Sequence, residues 1–145
     1  VVAVNCLGDI IDPKNGKIIA GALKEDGRSF ANTQQIMLNR YNEKRNLFSG
    51  NTTIGTVITN GKFNKSEMNK IASMAHNGYG RTMRPAHSVF DGDTIFTMAT
   101  DEVDADISTV GFLAAEVMEK AIIRAVKSAE SISGRKSYKE LATQS

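Results

Sequence analysis

The sequence predicts a layered α/β domain, on three observations. Short β-branched runs are interleaved with longer segments whose apolar residues recur at helical spacing, and no segment repeats another. The length of 145 residues matches one ordinary domain, since chains divide into units of roughly 100–200 residues. An apolar share of 41% with 23% charged residues supplies a core and excludes wholesale disorder.

Taken in order, Val1-Val2-Ala3-Val4 reads as a short strand. Asn5-Cys6-Leu7-Gly8-Asp9 then favours a turn, and Asp12-Pro13-Lys14-Asn15-Gly16 is a stronger one. Lys17 to Ala22 follows as a strand. From Lys24 to Gly50 the chain turns polar, with only Ile36, Met37 and Leu38 suggesting a helical turn, so a long and partly mobile surface connection is expected. Thr52 to Thr59 alternates as a strand does, closed by Asn60-Gly61. Asn64 to Glu67 supplies a cap and an acidic first turn. Behind it Met68, Ile71, Ala72, Ala75 and Tyr79 form a helical stripe that Gly78 and Gly80 are expected to end. Ser88 to Phe90 and Thr94 to Met98 read as extended chain about a turn at Asp91-Gly92-Asp93. The clearest helix runs from Val110 to Val126, apolar on one face and charged on the other, and is expected to lie flat on a sheet. After Ser128 the tail is polar and expected to fray.

Composition narrows the function classes. Eighteen basic against 16 acidic residues give a net charge of +2, too balanced for a dedicated nucleic-acid binder. The single Cys6 excludes an internal disulfide framework and a CxxC metal cluster. No apolar run approaches the roughly 18–20 residues a membrane span needs. No basic-then-apolar leader opens the sequence. A cytoplasmic protein without membrane or nucleic-acid partners is the expectation. The opening Val-Val-Ala-Val reads as a strand already under way, as in a downstream piece of a longer product.

Two stretches could carry chemistry. At Ser49-Gly50-Asn51-Thr52-Thr53-Ile54 a polar loop meets a core strand. Thr52 and Thr53 can simply begin that strand, since Thr favours β structure. Alternatively the Thr52 hydroxyl attacks the Asn51 carbonyl, an ester replaces the peptide, and hydrolysis leaves Thr52 as a new N-terminus. An α-amine has a pKa of about 7.7–8.0, so near neutrality it can serve as base for its own hydroxyl. The second stretch, Asp91-Gly92-Asp93-Thr94, is either a tight hairpin turn or a carboxylate pair holding a nucleophile or a divalent cation. Asp101, Glu102, Asp104 and Asp106 lack calcium-loop spacing and read as a solvated acidic loop. His76 and His87 lack zinc-site spacing, so His76 reads as a half-buried helix residue. Arg81, Arg84 and His87 form a modest basic patch. Cys6 reads as a small buried residue. Asn5, at a strand end, carries an amide able to donate to a developing oxyanion, though Asn is common there.

Four motifs in order support a resemblance. Val4-Asn5-Cys6-Leu7-Gly8-Asp9 with Asp12-Pro13, Gly16 and Ile19-Ala20-Gly21-Ala22, then Asn51-Thr52-Thr53-Ile54, come first. Met74-Ala75-His76-Asn77-Gly78 with Arg81, then Arg84-Pro85, His87 and Phe90-Asp91-Gly92-Asp93-Thr94-Ile95-Phe96, follow. Together they resemble the C-terminal portion of the DmpA-type aminopeptidases. That family includes L-aminopeptidase/D-esterases, β-peptidyl aminopeptidases and the endo-type nylon-oligomer hydrolase. The likeness runs from Val1 to about Lys127, and with Thr rather than Ser at the nucleophile position the chain looks closer to the nylon-hydrolase type than to the branches that carry Ser there.

The resemblance implies an N-terminal-nucleophile-like αββα sandwich, incomplete without an upstream segment that supplies a catalytic Lys. It divides the chain at the scissile Asn51–Thr52 bond. Residues 1–50 would be the C-terminal part of an upstream (α) subunit ending in a polar loop. Residues 52–130 would be a downstream (β) subunit starting at the nucleophile, and residues 131–145 a polar tail. It implies Thr52 as nucleophile, Asn5 as oxyanion donor, and Asp91 and Asp93 as the carboxylates orienting the nucleophile and its amine. No cofactor or metal is called for. The partners implied are a short peptide or amide substrate, the upstream segment of the same precursor, and further copies in a homo-oligomer. The alternatives are a non-catalytic binding or assembly module that keeps the fold and, more remotely, a metal-dependent enzyme centred on Asp91 and Asp93.

Overall fold

The computed structural model describes residues 1–39 and 50–143. Its strands are β1 (Val2–Ala3), β2 (Asp9–Ile11), β3 (Ile18–Ala20), β4 (Ile54–Gly61), β5 (Met83–Arg84) and β6 (Thr94–Val103). Its helices are α1 (Thr33–Asn39), α2 (Lys65–Thr82), α3 (Ile107–Ser128) and α4 (Tyr138–Ala142). The strands form two three-stranded sheets, ordered β1-β4-β6 and β3-β2-β5. In the first, β1 runs antiparallel to β4, and β4 runs parallel to β6 with α2 in the connection. In the second every pairing is antiparallel. A mixed α/β architecture is thus confirmed.

The helices form where the sequence places caps and stripes. Asn64 caps α2 through a reciprocal box with Glu67, at 2.9 and 3.0 Å, satisfying amides that the helix itself leaves unpaired. Asp106 caps α3 through the Thr109 amide at 2.7 Å, so part of the expected acidic loop is a helix start. Gly78 and Gly80 do not end α2, which continues to Thr82. Gly78 serves packing instead. A Cβ there would lie 2.6 Å from the Ala115 carbonyl oxygen and 2.8 Å from Met118 Cβ, so only glycine lets α3 approach this closely. Gly111 faces α2 from the other side, where a Cβ would meet the flexible end of the Met74 side chain. The largest contact of α3 is therefore α2, and the sheet comes second. The core between them holds Ile71, Ala75, Tyr79, Ala114, Met118 and Ile122 under Val57 and Ile95.

Four further expectations change. Asp9, Ile10 and Ile11, flanked by the two expected turns, form a fully buried strand, because β3 and β5 cover both its edges. The polar stretch after Lys24 contains α1, a longer helix than one turn. Its first residue is tied to the buried Asp9 carboxylate through the Thr33 amide (2.6 Å) and hydroxyl (2.8 Å). Residues 40–49 of that expected connection lie outside the described residues. Asn60-Gly61 belongs to β4 rather than closing it. The tail does not fray at once: Ser137, itself buried, caps α4, and Tyr138 packs against the core.

One face of the β4–β6 sheet is covered by the helices. The other presents Ile54, Ile58, Phe96 and Met98, each 46–62% exposed. Among the described residues no helix is long and apolar enough to cross a membrane.

Candidate active site

Parallel pairing builds the site. Ile54 sits opposite Thr94, and the same residue offset continues upstream, where Asn51 bridges Asp91. The two singled-out stretches, far apart in sequence, therefore lie side by side at the entry to two core strands. Asp91-Gly92-Asp93 is not a hairpin turn. The chain before it is a series of bends, and the partner of Thr94 is β4 rather than the residues preceding Asp91.

Each rung of this junction can be followed. The Gly92 amide donates to the Asn51 carbonyl at 3.2 Å, and the Thr94 amide to the Thr53 carbonyl at 3.0 Å. Between them the Thr53 amide leaves the ladder and donates to Asp93 Oδ1 at 2.8 Å. Asp93 Oδ2 accepts the His87 amide at 3.0 Å, so this buried carboxylate is filled by two backbone donors. Asp93 thus holds the residue after Thr52 and the loop before Asp91. Tyr79, fully buried on α2, completes the support, its hydroxyl 3.4 Å from the Thr53 carbonyl and 3.3 Å from that of Thr94.

Thr52 is half-buried, with its amide donating to the Asn5 carbonyl at 2.8 Å. Its hydroxyl donates to the Asn51 carbonyl oxygen at 2.5 Å. The Asn5 side-chain amide donates to the Gly50 carbonyl at 3.2 Å, one residue upstream of the candidate scissile carbonyl. Asp91 differs from Asp93. Both its oxygens are buried without a hydrogen-bond partner, and the Leu7 amide lies only near enough to favour the ionised form weakly. Burial first, and the Asp93 charge second, raise its pKa above the usual carboxylate range.

Three groups around this junction were not legible as neighbours in the sequence. The His76 and His87 rings meet at a tilt of 49° with centroids 4.8 Å apart, and His76 meets Tyr79 edge-on at 5.3 Å. Burial, then His87, lowers the His76 pKa, and its Nδ1 is buried without a partner. Cys6 is the third: burial first, then Asp91 and Asp93, pushes its thiol up to about 12, so it stays neutral. The expected basic patch is not one unit. Arg81 turns to Glu119 at 3.7 Å, while His87 faces His76. Among the described residues no group of three or more His, Cys, Asp or Glu side chains is arranged to hold a metal ion.

A family model described as peptidase family S58 matches residues 5–140, nearly the whole chain and all four motifs. The chain belongs to peptidase family S58. The resemblance to the DmpA-type aminopeptidases read from the sequence is borne out at this level. An aminopeptidase of Mycobacterium leprae (strain TN), named as uncharacterized, is 31% identical over 153 residues, covering 95% of this chain and 42% of the relative. A similarly named protein of Mycobacterium tuberculosis (strain ATCC 25618 / H37Rv) is 28% identical over 160 residues, covering 97% and 46%. The 6-aminohexanoate-oligomer endohydrolase of Kocuria sp. (strain KY2) is 34% identical over 92 residues, covering 54% and 26%. The chain spans less than half the length of the curated relatives it matches.

Proposed function

We propose that this S58 chain carries the nucleophile of a self-processing threonine amidohydrolase of the aminopeptidase type. The observation that carries the reading is the register that sets Asn51-Thr52 against Asp91-Gly92-Asp93. It gathers an alcohol, the carbonyl it would attack and an unpartnered buried carboxylate at one junction.

In the continuous chain Thr52 Oγ1 bonds to the Asn51 carbonyl carbon and the C–N bond breaks. The hydroxyl proton ends on the departing nitrogen, which becomes the Thr52 amine, with Asp91 and Asp93 orienting the nucleophile. Water then hydrolyses the ester, releasing the Asn51 carboxylate and a free Thr52 amine. That amine keeps the Asn5 carbonyl as its hydrogen-bond partner. Near neutrality it is partly unprotonated and takes the hydroxyl proton when Thr52 attacks a substrate amide. The substrate C–N bond breaks as its nitrogen takes that proton and leaves as an amine, and water then hydrolyses the acyl-enzyme on Thr52, releasing the carboxylic acid. Departure of the Gly50 carbonyl frees the Asn5 side-chain amide to donate to the substrate oxyanion. Asp93 keeps Thr53 and the 87–93 loop in place, and through them orients Thr52.

The names of the relatives support short peptides or linear ω-amides as substrates. The apolar outer face of the β4–β6 sheet supports the αββα sandwich, because a second β-layer from an upstream segment would cover Ile54, Ile58, Phe96 and Met98. Exposed Phe112, Leu113 and Val117 on α3 give a homo-oligomer a surface to use.

The test is intact mass of the purified full-length protein. Two chains are expected, the second beginning Thr-Thr-Ile-Gly on N-terminal sequencing. Thr52→Ala should leave one chain without amidase activity. A folded wild-type protein that stays whole and inert would instead favour a binding or assembly module, and activity lost to a chelator would favour metal chemistry at Asp91 and Asp93.

A further inference from the structure

Cutting the Asn51–Thr52 bond places negative charge on the Asn51 carbonyl oxygen as the tetrahedral intermediate forms. A donor aimed at that atom is what lowers the barrier. The Asn5 side chain, the donor suggested by sequence, is engaged elsewhere, on the Gly50 carbonyl. The group aimed at the Asn51 oxygen from outside the reacting residues is the Gly92 backbone amide, at 3.2 Å. The same glycine leaves room for the attacking alcohol: a Cβ at position 92 would lie 2.6 Å from Thr52 Oγ1.

We propose that the Gly92 N–H is the oxyanion donor of the chain-cutting step, and that glycine stands at 92 because the Thr52 hydroxyl occupies the space a side chain would take. The proposal rests on the self-processing reading above and adds the group that stabilises its transition state. As the Oγ1–C bond forms, the carbonyl π pair moves onto the Asn51 oxygen, where the Gly92 N–H meets it. The pair returns when the C–N bond breaks. Preorganisation comes from the flanking residues. Asp93 ties the Thr53 amide and the 87–93 loop together, so donor and carbonyl have little freedom to separate.

Replacing the Gly92 amide by an ester, with glycolic acid introduced at position 92 during in vitro translation of the full-length protein, removes this one donor. Cleavage is followed by mass. The parent should cut itself, and the ester form should cut about 10²–10³-fold more slowly, the usual cost of losing one oxyanion donor. The matching ester at Thr94 removes the next rung of the ladder and serves as the control, expected to cut within a few-fold of the parent. Gly92→Ala should stall as well, since the Cβ meets the hydroxyl while the backbone there lies outside the left-handed region. An ester at 92 that cuts at the parental rate overturns the proposal, as does a Thr94 ester that is equally slow, which would make the effect one of sheet stability. A parent that never cuts overturns the self-processing reading and this proposal with it.

Discussion

At the scale of single residues, two carboxylates two positions apart have opposite environments. Asp93 accepts two backbone amides, whereas the buried oxygens of Asp91 have no hydrogen-bond partner, and a group in that state resists ionisation. The consequence for stability has a definite sign. With its folded pKa raised, Asp91 keeps a proton in the native state at pH values where the unfolded chain has released it. The native state then binds more protons, and stability falls as pH rises from near the ordinary carboxylate value through the raised one. Asp91→Asn removes that penalty. Its melting temperature should gain on wild type with rising pH across this window and hold a constant lead above it. A lead that is flat from pH 3 to 8 would show that Asp91 ionises normally.

At the scale of elements, α2 was legible from periodicity and capping residues and α3 from periodicity alone, but their glycines were not. A glycine near the end of an apolar stripe reads as a terminator from sequence. Whether it is one depends on what lies across from it, and that is a tertiary fact. Gly78 and Gly80 make this measurable within one helix. Gly78→Ala gains helix propensity but drives a Cβ into the Ala115 carbonyl, a backbone atom that cannot swing aside. Overpacking should win, with a net loss of about 1–3 kcal/mol. Gly80 has open space around its missing Cβ, so Gly80→Ala should stabilise by about 0.5–1 kcal/mol. Denaturant midpoints of the two variants should move in opposite directions, and a shared direction would refute the packing role. The buried strand Asp9–Ile11 was hidden for a related reason: at three residues it is too short to show a period, and β5, which covers its other edge, is distant in sequence.

At the scale of the whole molecule, the candidate cleavage point divides a chain whose two parts are closely interlocked. β1, upstream of it, is a strand of the β4–β6 sheet. The C-terminal segment reaches back across the division. Lys136 donates to the Gly27 carbonyl at 3.0 Å, Lys127 approaches Asp12 at 3.4 Å, and Tyr138 packs into the core beside Lys127. Chain ends fray unless such contacts tie them down. Deleting residues 131–145 should therefore leave self-cleavage intact but let the two pieces separate at a lower urea concentration, as read by size-exclusion chromatography. Unchanged co-elution would show that β1 and the core suffice.

What the sequence determined by itself was local: which stretches are apolar on one face, where caps and turns stand, and which residue types sit together in the motifs that mark family S58. Thr52, Asn5, Asp91 and Asp93 could be singled out because side-chain chemistry is written in the residue names. Only the tertiary structure decided that Asn51 faces Asp91, that Asp93 is filled while Asp91 is not, and that a backbone amide of Gly92 reaches the Asn51 carbonyl. Pairing between distant parallel strands is set by how α2 and α3 pack on the sheet. Backbone donors are the same in every residue, so their partners emerge only once that packing fixes the register.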